Sequence, residues 1–269
     1  MKQADFVMRR LIMAAKAAAI HLTISGVVAS VAACLVFGLW FPFPYFELGG
    51  GLHLFWILVA VDVVLGPLLT LLLFNPVKPR REMALDLTLI GFIQMAALAY
   101  GLYSIGLARP VVLAFEVDRF VAVSAADVDT DTLSEAPDTL RSLSWTGPVL
   151  VGTRSAKNND EQMLSISLSL QGLEPSARPG WWQSYSASRP DAMLRMKPLR
   201  DLQKARLKEW EKIERAIEKT KLPAEKIFYL PLVSRKTMDE WVVLLNQDAN
   251  IVGFAPVGGF EASLQQISE

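Results

Sequence analysis

Long apolar runs dominate the first 108 positions of this 269-residue chain, and shorter apolar runs broken by polar residues follow. The longest runs cover about residues 17–40, 54–74 and 85–107, and each contains at most one charged side chain. A helix needs about 20 residues to cross the hydrocarbon core of a bilayer. The pattern therefore predicts a module of three transmembrane helices within residues 1–108.

The basic residues of this module lie on one side of the predicted spans. The loop at residues 41–53 has no Lys or Arg, whereas both other flanks are basic. Such flanks stay in the cytoplasm by the positive-inside rule. We therefore expect a cytoplasmic N-terminus and an extracytoplasmic part at residues 109–269. The basic residues are Lys2, Arg9, Arg10 and Lys16 before the first span, and Lys78, Arg80 and Arg81 before the third.

The extracytoplasmic part is expected to form one α+β domain with a mainly antiparallel sheet. A charged, amphipathic stretch at Lys197–Lys221 predicts one prominent helix, with Glu211 and Arg215 able to pair across a turn. Strands are expected where β-branched and aromatic residues are dense or apolar residues alternate. These stretches are Val111–Val123 with a tight turn or bulge near Asp118, Leu164–Leu170, Ile227–Leu230, Trp241–Leu245 and Ile251–Phe254.

Asp62 is the single charge within the second span. A charge at that depth costs at least about 2.5 kcal/mol, so such residues usually face protein or water. Gly66 and Thr70 follow at four-residue intervals on the same helix face, and Pro67 favours a kink there. This face predicts a helix contact, either within the module or with a partner. Candidate internal partners are His21, Thr23 and Ser25 on the first span, and Gln94, Tyr100 and Tyr103 on the third.

Candidate chemistry is sparse. Both histidines, His21 and His53, and the single cysteine, Cys34, precede residue 109. No metal-ligand cluster, nucleophile constellation or phosphate-binding glycine loop is visible in the sequence. The alternating aspartates at 127–131 lack the Gly and Glu of a calcium loop. We therefore expect no cofactor, no metal and no enzymatic activity, and the zero net charge gives no case for nucleic acid.

Several strings resemble the TfpX/TfpZ family of type IV pilin accessory proteins. The most specific is FWILVAVDVVLGPLLT at residues 55–70. Further matching strings are Leu85-Asp86-Leu87, residues 94–101 beginning at Gln94, Arg109-Pro110-Val111 and Asp118-Arg119-Phe120.

The resemblance implies a protein of a Gram-negative inner membrane that assists type IV pilus assembly. Its implied partners are the major type IV pilin and other pilus assembly proteins, together with inner-membrane lipid. In this view Asp62, Gly66, Pro67, Thr70 and Gln94 form a helix-packing or partner face. The junction between membrane and domain is expected at Arg109, Pro110, Asp118, Arg119 and Phe120.

Two other functions stay open at this level. One is a membrane-anchored sensor whose extracytoplasmic domain binds a small ligand. The other is a membrane-bound enzyme that modifies pilin or the envelope. The sequence also leaves open the oligomeric state, and whether Trp181 and Trp182 belong to a core or to a contact surface.

Overall fold

The computed structural model describes residues 2–260, with side chains from Phe6 onward. Contacts divide the chain into two compact units. The helical unit contains the chain up to Trp40 together with Gly50–Leu107. The sheet unit contains Phe41–Gly49 and the chain from Ala108 onward. The loop between the first two spans thus belongs to the sheet unit, although the sequence grouped it with the spans.

The helices are α1 Lys2–Leu35, α2 Tyr45–Leu48, α3 Gly51–Val59, α4 Gly66–Leu73, α5 Arg80–Ala108, α6 Asn159–Leu170, α7 Tyr185–Arg195, α8 Leu199–Ala205 and α9 Trp210–Thr220. Two π-helical segments, Val36–Trp40 and Ala60–Leu65, continue α1 and join α3 to α4. The strands are β1 Pro110–Glu116, β2 Arg119–Ser124, β3 Val149–Thr153, β4 Trp182–Ser184, β5 Lys197–Pro198, β6 Phe228–Ser234, β7 Trp241–Leu245 and β8 Ile251–Ala255.

Within the described residues, three helices are long and apolar enough to span a membrane. They cover Phe6–Trp40, Gly51–Leu73 and Arg80–Ala108. The three apolar helices expected from the sequence are therefore present, with longer first and third segments than the expected spans. Their outward faces carry large exposed apolar side chains such as Phe92 and Ile24, which is what a lipid solvent permits.

Small side chains on α1 form the contact stripe of the first span. Ala14, Ser25, Ala32 and the following Val36 are buried, whereas the intervening Ile24 and Val31 are exposed. The spacing between these buried positions follows helical turns, so they share one face. In lipid no hydrophobic effect drives helices together, so small residues favour association by letting the helix backbones pack closely.

The sheet unit is built on one mixed sheet. Strand order is β4-β3-β1-β2-β6-β7-β8, and β5 pairs with β6 outside this path. Among the strands in the described part of the chain, β1 with β3 and β2 with β6 run parallel, and the other five pairings are antiparallel. The α+β class with a mainly antiparallel sheet is confirmed.

The two faces of the sheet are covered differently. Side chains alternate between faces along a strand, so Phe120 and Ala122 of β2 point to one face, and Val121 and Val123 to the other. The first face forms a single core with residues of α2 and α7. The second face carries two separate clusters, one over β1 and β3 and one over β6–β8 with α8 and α9.

The strand expected at Leu164–Leu170 is wrong, because this segment lies in α6. Asn158 caps the helix, and its side chain accepts a hydrogen bond from the Glu161 amide at 2.8 Å. Gly172, at φ 86°, ends it, with amide bonds from Gly172 to Ser169 and from Leu173 to Leu168. These are the bonds of a Schellman motif. The alternating leucines are mostly exposed, and only Ser165 is buried among the residues of α6.

The prediction of one continuous helix at Lys197–Lys221 is also wrong, because the segment is divided into several elements. Lys197–Pro198 pairs with β6 as β5. Arg206, with φ −121° and ψ 49°, ends α8 before a 3₁₀ turn at Leu207–Glu209 that leads into α9. Arg206 donates to the carbonyls of Gly258 and Phe260, each at 3.1 Å. The expected Glu211–Arg215 pair is present at 3.1 Å.

The remaining strand predictions hold. The run at Val111–Val123 folds as β1 and β2, joined by a tight turn at Val117-Asp118. The run at Trp241–Leu245 is β7, and it forms a hairpin with β8. These segments share dense β-branched and aromatic residues, and burial of β7 on both faces agrees with its continuous apolar sequence.

Candidate functional site

The polar face around Asp62 lies inside the helical unit. Asp62 is 6% exposed and Thr70 is 2% exposed, and Gly66 and Pro67 are also buried. Gln94 of α5 reaches this face, because its Nε2 donates to the Asp62 carbonyl at 3.0 Å. The structure therefore brings Gln94 to Asp62 and Gly66, and these contacts are made within one chain.

Pro67 accounts for the contact between Gln94 and Asp62. In a π-helix each carbonyl accepts from the residue five positions later, which for Asp62 is Pro67. Proline has no amide hydrogen to donate. Gln94 supplies a donor to this carbonyl from another helix, and the missing side chain of Gly66 leaves room for it, since a Cβ there would lie 1.9 Å from Gln94 Nε2.

A second polar contact joins the first and second spans. His21 Nδ1 and Thr70 Oγ1 are 2.6 Å apart. Of the other predicted partners, Thr23 bonds the Ala19 carbonyl of its own helix, and Tyr100 and Tyr103 are 73% and 64% exposed. Within the described residues, Asp62 Oδ1 is buried with no hydrogen-bond partner. The Asp62 face therefore contains hydrogen bonds between helices together with one buried carboxylate oxygen that has no hydrogen-bond partner.

The residues predicted to form the membrane–domain junction fall at two places. Arg109 precedes β1, where it donates to the Ser144 carbonyl at 3.2 Å and stacks on Trp145 at 4.3 Å. Asp118 and Arg119 lie after β1 and pair with each other at 2.8 Å. The seven residues of β1 separate the two places by about 20 Å. Phe120 is fully buried in the sheet core.

The loop between the first two spans is part of the sheet unit's core. Tyr45 and Leu48 are 6% and 1% exposed, and they pack with residues of the first sheet face. Ser234 Oγ on β6 donates to the Leu48 carbonyl at 3.0 Å. Phe43 makes edge contacts with Trp241 and Phe254, at ring-centroid distances of 6.0 and 6.5 Å.

The tryptophan pair has a structural role. Trp182 is 3% exposed, and its Nε1 donates to the Ser176 carbonyl at 2.8 Å. The guanidinium groups of Arg154 and Arg178 both stack on the Trp181 ring, at 4.6 and 4.5 Å from its centroid. Both rings are thus committed to contacts within the sheet unit.

A cavity of about 480 Å³ on the second sheet face was not predicted from the sequence. Glu116 lies in its wall and accepts a hydrogen bond from the Ser176 amide at 2.8 Å. Burial raises the pKa of Glu116 above its usual value, and the nearby Glu174 carboxylate raises it further. No local motif marks this site, because it depends on the order of strands in the sheet.

Comparison with known proteins identifies the family. The fimbrial assembly protein of serogroup E1 of Dichelobacter nodosus is 37% identical over 254 residues, covering 94% of this chain and 98% of the relative. This chain belongs to the fimbrial assembly protein family. The serogroup I fimbrial assembly protein of the same organism matches with the same identity and coverage.

Two narrower matches agree with this membership. Residues 9–50 match the family described as fimbrial assembly protein FimB, a range that includes the first span and the loop packed in the sheet unit. The fimbrial assembly protein of serogroups C1 and C2 of Dichelobacter nodosus is 44% identical over 128 residues, covering 48% of this chain and 98% of the relative. No solved structure matches this chain significantly.

Proposed function

We propose that this protein is an inner-membrane accessory factor of the TfpX/TfpZ kind that assists type IV pilus assembly by contacting or stabilising pilin. The observation that carries the proposal is the 37% identity to fimbrial assembly proteins over 94% of the chain. This similarity extends through both units, so it concerns the whole architecture and not the apolar helices alone.

The membrane topology in this proposal has a cytoplasmic N-terminus and a periplasmic sheet unit. The distribution of basic residues favours it. The fold adds independent support, because residues 41–49 and the chain from Ala108 belong to one folded unit. Two segments that share a hydrophobic core must lie on the same side of a bilayer. The loop after the first span and the chain after the third span lie on the same side when all three helices cross the bilayer.

We assign the Asp62 face to holding the helical unit together, since Asp62 and Thr70 are buried against the unit's own helices. Pilin contact then involves the sheet unit and the exposed sides of the apolar helices. The proposal includes no catalysis: the sheet unit contains no His or Cys.

Gene deletion with complementation tests the proposal. Surface pili should fall after deletion and return with the full chain. Pilin should co-purify from gently solubilised membranes with the chain tagged at its N-terminus, and not with an unrelated tagged three-span protein. Unchanged piliation after deletion would contradict the role in assembly. Absence of pilin while other membrane complexes survive would contradict direct contact.

A further inference from the structure

The two clusters on the second sheet face do not meet over the middle of the sheet. One cluster lies over β1 and β3 and reaches Val121 and Val123 of β2, and the other lies over β6–β8. The cavity lies between them, on the parallel pair β2 and β6. We call it the β2–β6 cavity. Val123 and Val233 are buried, whereas Val121 of β2 is only partly buried, so the cover of this face is incomplete at Val121.

The floor and rim of the β2–β6 cavity are apolar. Val121 and Val123 of β2 and Val233 of β6 form the floor. Val117 and Met238 lie at the rim and are 67% and 65% exposed. Its volume of about 480 Å³ is within the range of ligand sites.

The shape of the cavity favours a peptide. Its lining follows β2 from Arg119 to Val123, a length of about 13 Å, which accommodates about four residues of extended chain. The β2 and β6 backbones pair with each other, so a ligand on this face must be recognised by its side chains. An apolar side chain fits the valine floor.

The charges around the cavity favour a ligand in which a cationic residue stands next to the apolar side chain. Both lining arginines are already engaged: Arg119 pairs with Asp118 at 2.8 Å, and Arg235 pairs with Asp127. Glu116 and Glu174 both line the cavity. Burial raises the pKa of Glu116 and the Glu174 carboxylate raises it further, whereas hydrogen bonds from Ser176 and the charge of Arg119 lower it.

A second internal cation near these carboxylates, besides Arg119, is Arg178. Arg178 interacts with Glu116 and Glu174 at longer range. Its side chain is buried against Trp181 and donates to Ser165 Oγ at 2.6 Å, and it does not line the cavity. A cation entering from the open side would therefore meet two carboxylates.

We propose that the β2–β6 cavity binds a peptide segment of the assembling pilus subunit, with an apolar side chain on the valine floor and an adjacent Lys or Arg near Glu116 and Glu174. The choice of a pilus subunit rests on the proposed function. The chemistry of the segment rests on the cavity itself.

Site-specific photocrosslinking in pilus-assembling cells tests the proposal on the full chain. A benzophenone side chain replaces Met238 at the rim or, as the control, Leu194, which is 82% exposed on α7. We expect pilin to be captured from position 238 and not from 194. Mapping should place the crosslink beside an apolar residue next to Lys or Arg. Capture of this chain's own residues 261–269, or a bound small molecule in place of pilin, would overturn the proposal.

Charge reversal provides the second readout. Glu174 is exposed, so Glu174→Lys should fold normally, with an unchanged Tm as the check. It should lower pilin capture by about tenfold, and reversing the mapped basic residue should restore capture. Val121→Trp should lower capture by filling the floor. Unchanged capture and piliation in both variants would overturn this inference. If gene deletion still abolished pili, the proposed function would stand without it.

Discussion

Val117 is a strained residue at the rim of the β2–β6 cavity. Its φ is 59°, a conformation that a β-branched residue rarely adopts. The Asp118 amide donates to the Glu116 carbonyl at 2.7 Å, which is the bond of a γ-turn centred on Val117. Strain of this kind costs about 1–3 kcal/mol, so the native sequence keeps an exposed valine here at the expense of stability.

Replacing Val117 with glycine should therefore stabilise the sheet unit. Glycine relieves the strain but loses about 0.5–1 kcal/mol through backbone entropy, leaving a net gain of about 1 kcal/mol. Denaturant unfolding of the detergent-solubilised chain measures it. Val149→Gly, at an ordinary strand position, is the matched control and should destabilise. Equal destabilisation by both substitutions would show that Val117 is not strained.

The ion pair between Arg154 and Glu161 should make stability depend on pH in the acid range. Hydrogen bonds from Arg154 and from the Lys157 amide lower the pKa of Glu161 to about 2. A lowered folded-state pKa means that the carboxylate stabilises the fold above its unfolded value, near 4.5. This stabilisation is lost as pH falls from about 4.5 through about 2.

The difference in Tm between the native chain and Glu161→Gln measures this effect. The native chain should be the more stable at pH 6, and the difference should shrink below pH 4.5 and disappear near pH 2. Glu218→Gln, on the exposed side of α9, is the control and should give a smaller, flatter difference. If the difference in Tm stayed constant from pH 6 to pH 2, Glu161 would not be the source of the pH dependence.

At the scale of single elements, local sequence predicted strands well but misassigned α6. The alternation at Leu164–Leu170 suggested a strand, yet Asn158 and Glu161 stand three residues apart, as in a capping box, and Gly172 suits a helix end. These end signals were visible in the sequence and decided the outcome. The break at Arg206 was not visible locally, because it depends on contacts with Gly258 and Phe260.

The second span offers a test of the contact between Gly66 and Gln94. A Cβ on Gly66 would lie 1.9 Å from Gln94 Nε2, so Gly66→Ala should push the amide away from the Asp62 carbonyl. Loss of such a bond in a membrane protein costs about 1 kcal/mol. Unfolding in mixed micelles measures it. Gly91→Ala is the control, because a Cβ there meets nothing within 4 Å, and it should be neutral or stabilising.

At the scale of the whole chain, the sequence predicted apolar helices and an α+β domain, but it did not predict which residues belong to each unit. Residues 41–49 looked like a short loop between spans, since its aromatics and prolines suit a membrane interface. Their burial depends on partners such as Ser234 and Trp241, almost two hundred positions later. The β2–β6 cavity likewise follows from strand order, which no local pattern encodes.

The shared loop predicts that a substitution between two spans will destabilise a distant sheet. Leu48 is 1% exposed in the core of the first sheet face, and truncating a buried leucine to alanine costs about 2–5 kcal/mol. Leu48→Ala should therefore lower the hydrogen-exchange protection of β6 and β7 amides in the full chain. Leu194→Ala, at an 82% exposed position, is the matched control and should change protection by at most about 0.5 kcal/mol. If exchange increased only around residues 41–52, the loop would be an independent connection, and the sheet unit would hold its core without it.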